Sequence, residues 1–158
     1  MPTTFLKGDI FGTPDVRAYA HGSNLAGHMD SGIAAQFKKR WPAMFEEYAA
    51  RCTDRRFQLG DVLVWADDTH TVYTLGIQQH WKTRPKLAAF SRALERTIEL
   101  ASVAGVTKLG LPRIGAGVGG LDWARVRKVL SEVGETTPIE LVVFEQFVRT
   151  PSGAVTEG

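Results

Sequence analysis

The chain has one cysteine, Cys52, in 158 residues. A disulfide within the chain is therefore excluded, and stability must come from a packed core. Arg51 and Arg55 lie near Cys52, but no nucleophile motif surrounds it, so it reads as inert. No apolar run approaches the ~20 residues that a helix needs to cross a bilayer. No basic stretch followed by an apolar segment opens the chain, so no secretory leader and no membrane partner are expected. A cytoplasmic setting is the natural reading of so little cysteine. Charge of one sign is not in excess: 19 Lys and Arg stand against 17 Asp and Glu, a net charge of +2. That balance makes no electrostatic case for nucleic acid, and the basic clusters at 38–40, 55–56 and 82–86 read as solvated surface. The histidines His21, His28, His70 and His80 show no zinc-ligand spacing, so no metal is expected. There is no internal repeat.

What is present suits an ordinary globular protein: 44% hydrophobic and 23% charged residues. The length predicts one domain, placed at residues 1–148. Residues 149–158 are small, polar and contain Gly and Pro, and are expected to fray. Residues 61–65 and 71–77 read as strands joined by the turn-rich Asp67-Asp68-Thr69-His70, which predicts an antiparallel hairpin. Residues 86–104 carry Leu87, Phe90, Leu94, Ile98 and Ala101 at helical spacing, with Pro85 suiting the first turn and Gly105 the end. Pro42 to Thr53 is a further helix. Residues 107–111 form a short strand, Asp122 is a good N-cap for a helix with a Trp123-Val126-Val129-Leu130-Val133 stripe, and 139–144 are a last strand, apolar enough to be central. Strands alternating with helices predict a three-layer α/β/α sandwich around a mixed, mainly parallel sheet.

Two segments stand out. The first runs Leu109-Gly110-Leu111-Pro112-Arg113-Ile114-Gly115-Ala116-Gly117-Val118-Gly119-Gly120, just before the Asp122 cap. A glycine-rich turn between strand and helix exposes backbone N–H groups beside a helix N-terminus, and both attract phosphate. Gly115, Gly117 and Gly120 also fit the G-x-G-x-x-G spacing of a dinucleotide fold, with Glu140 20 residues on. That fold usually places the turn at its first strand, whereas here only 38 residues follow Gly120. A ligand-free connection and a phosphate loop of another α/β fold remain as alternatives. The second segment lies near the N-terminus. A strand ends in Gly8-Asp9-Ile10, another runs through Ala20-His21-Gly22-Ser23-Asn24, and a helix opens near Ser31-Gly32-Ile33. Two helix N-termini beside glycines can grip one extended ligand.

With Lys7-Gly8-Asp9-Ile10-Phe11, Met29 with Gly32-Ile33-Ala34 and Phe37-Lys38-Lys39, and Leu111-Pro112-Arg113-Ile114-Gly115 with Gly117, the chain resembles the macrodomains, which bind ADP-ribose. The likeness covers about residues 3–147. Within that family it is most similar to the terminal ADP-ribose protein glycohydrolases and to the DNA ADP-ribosyl glycohydrolase antitoxins, through His80-Trp81 and Gly119-Gly120-Leu121-Asp122-Trp123. The resemblance implies about six strands and no cofactor. It implies that Asp9 accepts the adenine amino group and that Ile10 supports the base. Residues Arg113, Ile114, Gly115, Ala116, Gly117, Val118, Gly119 and Gly120 would wrap the diphosphate, with Ser31, Gly32 and Ile33 meeting it from the other side. Asn24 would face the distal ribose. Phe144 would stack on adenine or, equally, sit in the core.

The chain departs from those relatives where they do their chemistry. Their catalytic lysine falls on Gln78, or on Gln79 if Pro85 sets the register, and their aspartate falls on Gly119. An amide nitrogen has no available lone pair and cannot be that nucleophile. Lys82 is a remaining amine, on a polar loop. The expected activity is therefore hydrolysis of mono-ADP-ribose from acidic side chains of proteins without a covalent lysine, with Asn24 and Gln78 as catalytic candidates. The alternatives are a non-catalytic ADP-ribose reader and, further off, a DNA ADP-ribosyl glycohydrolase. The expected partners are ADP-ribose and mono-ADP-ribosylated proteins, and the expected state is a monomer.

Overall fold

The computed structural model describes residues 2–116 and 120–147. The expected tail at 149–158 lies outside the described residues. Six strands form one sheet: β1 (Thr4–Gly8), β2 (Ala18–Asn24), β3 (Val62–Ala66), β4 (Thr71–Gln78), β5 (Lys108–Pro112) and β6 (Glu140–Phe147), in the spatial order β1-β6-β5-β2-β4-β3. All neighbouring pairs are parallel except β3 with β4, the expected hairpin. The last strand is flanked on both sides, as its apolar run requires.

Side-chain alternation sorts the strands onto two faces. Ala18, Ala20, Tyr73, Leu75, Ile77, Leu141 and Val143 join one core with helices α3 (Leu87–Val103) and α4 (Trp123–Thr136). Tyr19, Val72, Val142 and Phe144 join a second core under α1 (Gly32–Arg40) and α2 (Pro42–Thr53). The α/β/α sandwich follows from these two faces. Asp122 caps α4, its side chain accepting from the Ala124 amide. Gly105 follows α3 at φ +78°, the left-handed turn that ends a helix. Pro85 departs from expectation. The N-cap of α3 is Lys86, so Pro85 precedes the first turn, and the Lys86 amide instead bonds the Ile77 carbonyl at 2.8 Å.

Gly76, in β4, marks a close approach. A Cβ there would lie 2.7 Å from the Gln58 carbonyl oxygen. A backbone oxygen cannot rotate aside, so Gly76→Ala is expected to cost about 1–3 kcal/mol. The check is a lower urea midpoint at unchanged slope.

His21 is 1% exposed and stacks on Phe37 at 4.3 Å. Its Nε2 lies 2.8 Å from Thr74 Oγ1, while its Nδ1 has no partner among the described residues. Burial pushes its pKa down from 6.5 to about 3. The unfolded chain therefore binds more protons between these two values, and stability falls as pH falls through that window. A loss of about 3 kcal/mol by pH 4.5 is expected from this group. Acid-dependent unfolding measured on wild type and His21→Leu checks it: the variant must show a shallower pH slope.

Candidate functional site

The five parallel strands all point their C-terminal ends to one edge, where ligands of open α/β sheets bind. Asp9 follows β1, Asn24 ends β2, Gln78 ends β4 and Arg113 follows β5. From β1 to β4 there are four inter-strand steps of ~4.8 Å, a span of ~19 Å. That is room for an extended ligand of dinucleotide size.

At the β1 end, Asp9 is N-cap to a single 3-10 turn, Ile10–Gly12, and its Oδ1 accepts the Phe11 amide at 2.9 Å. This bond sets the direction of the carboxylate. In the middle lie the two predicted grips. Gly115 has φ +70°, and the Leu121 amide bonds its carbonyl oxygen, which draws the loop back on itself. A Cβ on Gly115 would come 3.0 Å from Leu121 Cδ1, so both the angle and the space call for glycine. Ile114 is buried against β2: a Cβ at Gly22 would meet Ile114 Cγ2 at 2.8 Å and Ile77 Cδ1 at 2.6 Å. In the segment that follows β2, α1 begins with Ser31 in extended conformation, with no side-chain cap bond among the described residues. The Ala35 amide is bonded to Ser31 O, and the earlier first-turn amides have no acceptor within the helix.

The exit of the glycine loop is anchored to β6. Trp123 Nε1 donates to Glu145 Oε2 at 2.7 Å, and Arg127 pairs with Glu145 Oε1 at 2.6 Å. The indole N–H, and then the guanidinium, hold the Glu145 carboxyl below its usual range. The Arg113 guanidinium lies over the Trp123 ring, 5.1 Å from its centroid.

At the β2 and β4 ends, Asn24 and Gln78 are paired residues of adjacent strands. Asn24 is 6% exposed. Its Oδ1 accepts the Ala26 amide at 3.0 Å and the His28 amide at 3.2 Å, and its Nδ2 donates to His28 O at 2.9 Å. Tyr48, from α2, brings its hydroxyl within 2.8 Å of Asn24 O and 2.9 Å of Asn24 Oδ1, and receives a bond from Ser23 Oγ at 2.9 Å. Burial raises the Tyr48 pKa, so it stays a neutral donor. Gln78 Nε2 donates to His80 O at 2.9 Å and Thr83 O at 2.8 Å. On the loops so held, His28 Nδ1 lies 3.1 Å from Asp30 Oδ2, and the His28 ring meets Trp81 edge-on at 4.3 Å. Trp81 is 50% exposed and stacks on His80.

Residues 20–130 match the family model of the Macro domain, more than half of the chain. The chain belongs to the macrodomain family. ADP-ribose glycohydrolase OARD1 of Homo sapiens is 30% identical over 141 residues, 89% of this macrodomain and 90% of the human protein. The DNA ADP-ribosyl glycohydrolase of Mycobacterium tuberculosis is 29% identical over 146 residues, but this macrodomain spans only 41% of that protein's length. Among solved structures, the macrodomain of Thermus aquaticus DarG superposes with a TM-score of 0.82 at 26% identity, covering 90% of this chain and 97% of that one.

The structure brings most of the residues predicted for this macrodomain to one edge, and it revises several. Gly115, Ala116 and Gly120 border the loop, while Gly117, Val118 and Gly119 lie outside the described residues. Ser31 and Gly32 are exposed and Ile33 half-buried at the open start of α1. Ile10 is fully buried, so its side chain supports the site from beneath and presents no face to a base. Phe144 is 3% exposed within the second core, so the core reading, and not the stacking one, describes it. Arg113 directs its charge to the Trp123 face. Asn24 was expected to face a ribose, yet its amide is committed to the loop at 26–28, and it acts as a clamp. The Gln78 amide nitrogen is likewise spent on the loop at 80–83. Tyr48 and the His28–Asp30 pair escaped the sequence reading. Nothing local in the sequence marks Tyr48, which lies within α2, whereas His-x-Asp in a polar loop is a visible but unspecific signal.

Replacing Asn24 with Ala strands the Ala26 and His28 amides and the Tyr48 hydroxyl. A loss of about 2–3 kcal/mol is expected. Denaturant unfolding checks the loss, and calorimetric titration with ADP-ribose should show weakened binding from the loosened loop.

Proposed function

We propose that this macrodomain binds ADP-ribose across its strand ends and hydrolyses mono-ADP-ribose from acidic side chains of proteins by direct attack of water. The glycohydrolase names of its relatives support the reaction class. One observation carries the absence of a covalent step: the residue at the end of β4 is Gln78, whose amide nitrogen donates to two carbonyls of the following loop. It has no lone pair to offer an anomeric carbon. Lys82, the nearby amine in sequence, is exposed, and among the described residues only its backbone amide is bonded, to His80 Nδ1 at 3.2 Å.

A glycosyl ester suits such a site. The carboxylate is a good leaving group, and the ribose carbon develops oxocarbenium character as the bond breaks. The protein then contributes orientation and fixed dipoles. The Asp9 carboxylate would hold the adenine end. The glycine loop and the α1 N-terminus would hold the diphosphate with backbone donors, and the β2–β4 end would receive the distal ribose.

The test is release of free ADP-ribose from a protein carrying glutamate-linked mono-ADP-ribose, followed by chromatography. Catalytic release is expected from wild type, with at least a tenfold loss in Gly115→Val, whose branched side chain is incompatible with φ +70° and meets Leu121. Binding of ADP-ribose with no release from this substrate would favour a reader over a hydrolase. An ADP-ribosylated oligonucleotide is expected to remain uncleaved.

A further inference from the structure

We propose that His28 is the general base of this macrodomain and that Asp30 orients it. The inference rests on the hydrolase reading above and names the group that would take over proton transfer where no lysine stands.

Three observations converge. The first is the pair itself. Nδ1 of His28 lies 3.1 Å from Asp30 Oδ2, so the tautomer with hydrogen on Nδ1 is favoured and Nε2 carries the lone pair. Nε2 has no hydrogen-bond partner among the described residues. The second is the mounting. The His28 amide and carbonyl are both bonded to the buried Asn24 side chain, which also contacts the Tyr48 hydroxyl. An exposed ion pair on a long free loop is worth little, but this one stands on a buried, multiply bonded base. The third is the wall. Trp81, half exposed, packs edge-on against the His28 ring at 4.3 Å, backed by His80 at 3.5 Å and held by the Gln78 clamp on residues 80–83. The imidazole thus sits between two loops that rise from the ends of β2 and β4, where the distal ribose would lie. Lys38 Nζ, 3.8 Å from Asp30 Oδ1, is the other charge beside the pair.

The step balances without a further reactant. A water oxygen bonds to the anomeric carbon as its bond to the ester oxygen breaks. The side chain leaves as a carboxylate, and the water proton passes to His28 Nε2 and then to solvent. Asp30 stabilises the imidazolium formed and is a positioning residue.

The experiment compares wild type, His28→Gln, Asp30→Asn and His28→Gly on glutamate-linked mono-ADP-ribose, with ADP-ribose affinity measured on each protein. Positioned general bases contribute about 100-fold or more. His28→Gln is expected to lower kcat about 100-fold with the ADP-ribose Kd changed less than about threefold, and Asp30→Asn about tenfold. Added imidazole is expected to restore part of the activity of His28→Gly. The retained Kd reports a folded site. If His28→Gln keeps kcat within threefold of wild type, or loses ADP-ribose binding along with it, this proposal fails and the hydrolase reading stands. If wild type binds ADP-ribose and releases none, both fail.

Discussion

The site depends on the direction of five strands. β1, β6, β5, β2 and β4 run parallel, so each connection between them must carry the chain back to the opposite edge of the sheet before the next of these strands begins. Helix α3 carries the chain from β4 to β5 and α4 from β5 to β6, while β3 makes the return between β2 and β4. The returns leave the loops after β1, β2, β4 and β5 along one edge. Only β3 runs antiparallel, as the edge partner of β4. The close contact of Gly22 with Ile77 and Ile114 then seats the glycine loop on the middle of the sheet: a side chain on β2 at that point would lift the loop away.

Within that frame, amides that look chemical prove mechanical. Asn24 and Gln78 stand side by side at the ends of β2 and β4, and each uses its side chain to hold the loop that follows its own strand. A loop tied at its root by a buried amide has fewer conformations to lose when a ligand arrives, so more of the contact energy remains for binding. The Tyr48 hydroxyl extends the same arrangement to α2.

Much of the architecture was legible from local pattern. The 86–104 stripe, the Asp122 cap, the Gly105 stop and the short 67–70 turn each carry their physics within a few residues, and the structure follows them. The resemblance carried Asp9, the α1 start and the glycine loop to one edge. What was not legible were choices made by neighbours distant in sequence. Phe144 reads equally as a ligand contact or core and Ile10 as a support for the base, and only the second core around them shows that both are buried. Tyr48 carries no local signal in the chain, and its role shows only in the fold, where Asn24 Oδ1 lies 2.9 Å from its hydroxyl.

The sequence by itself determined the element order, the α/β/α class, the glycine loop and the lack of a lysine at the β4 end, because periodicity, turn chemistry and residue identity are local properties. Only the tertiary structure decided which polar side chains are spent and which remain open. Asn24 and Gln78 have the same groups in the chain as in the fold, but a hydrogen bond needs both partners placed to within a few tenths of an ångström. That placement arises from the pairing of β2 with β4 and the packing of α2 beneath them, across separations that no local pattern encodes.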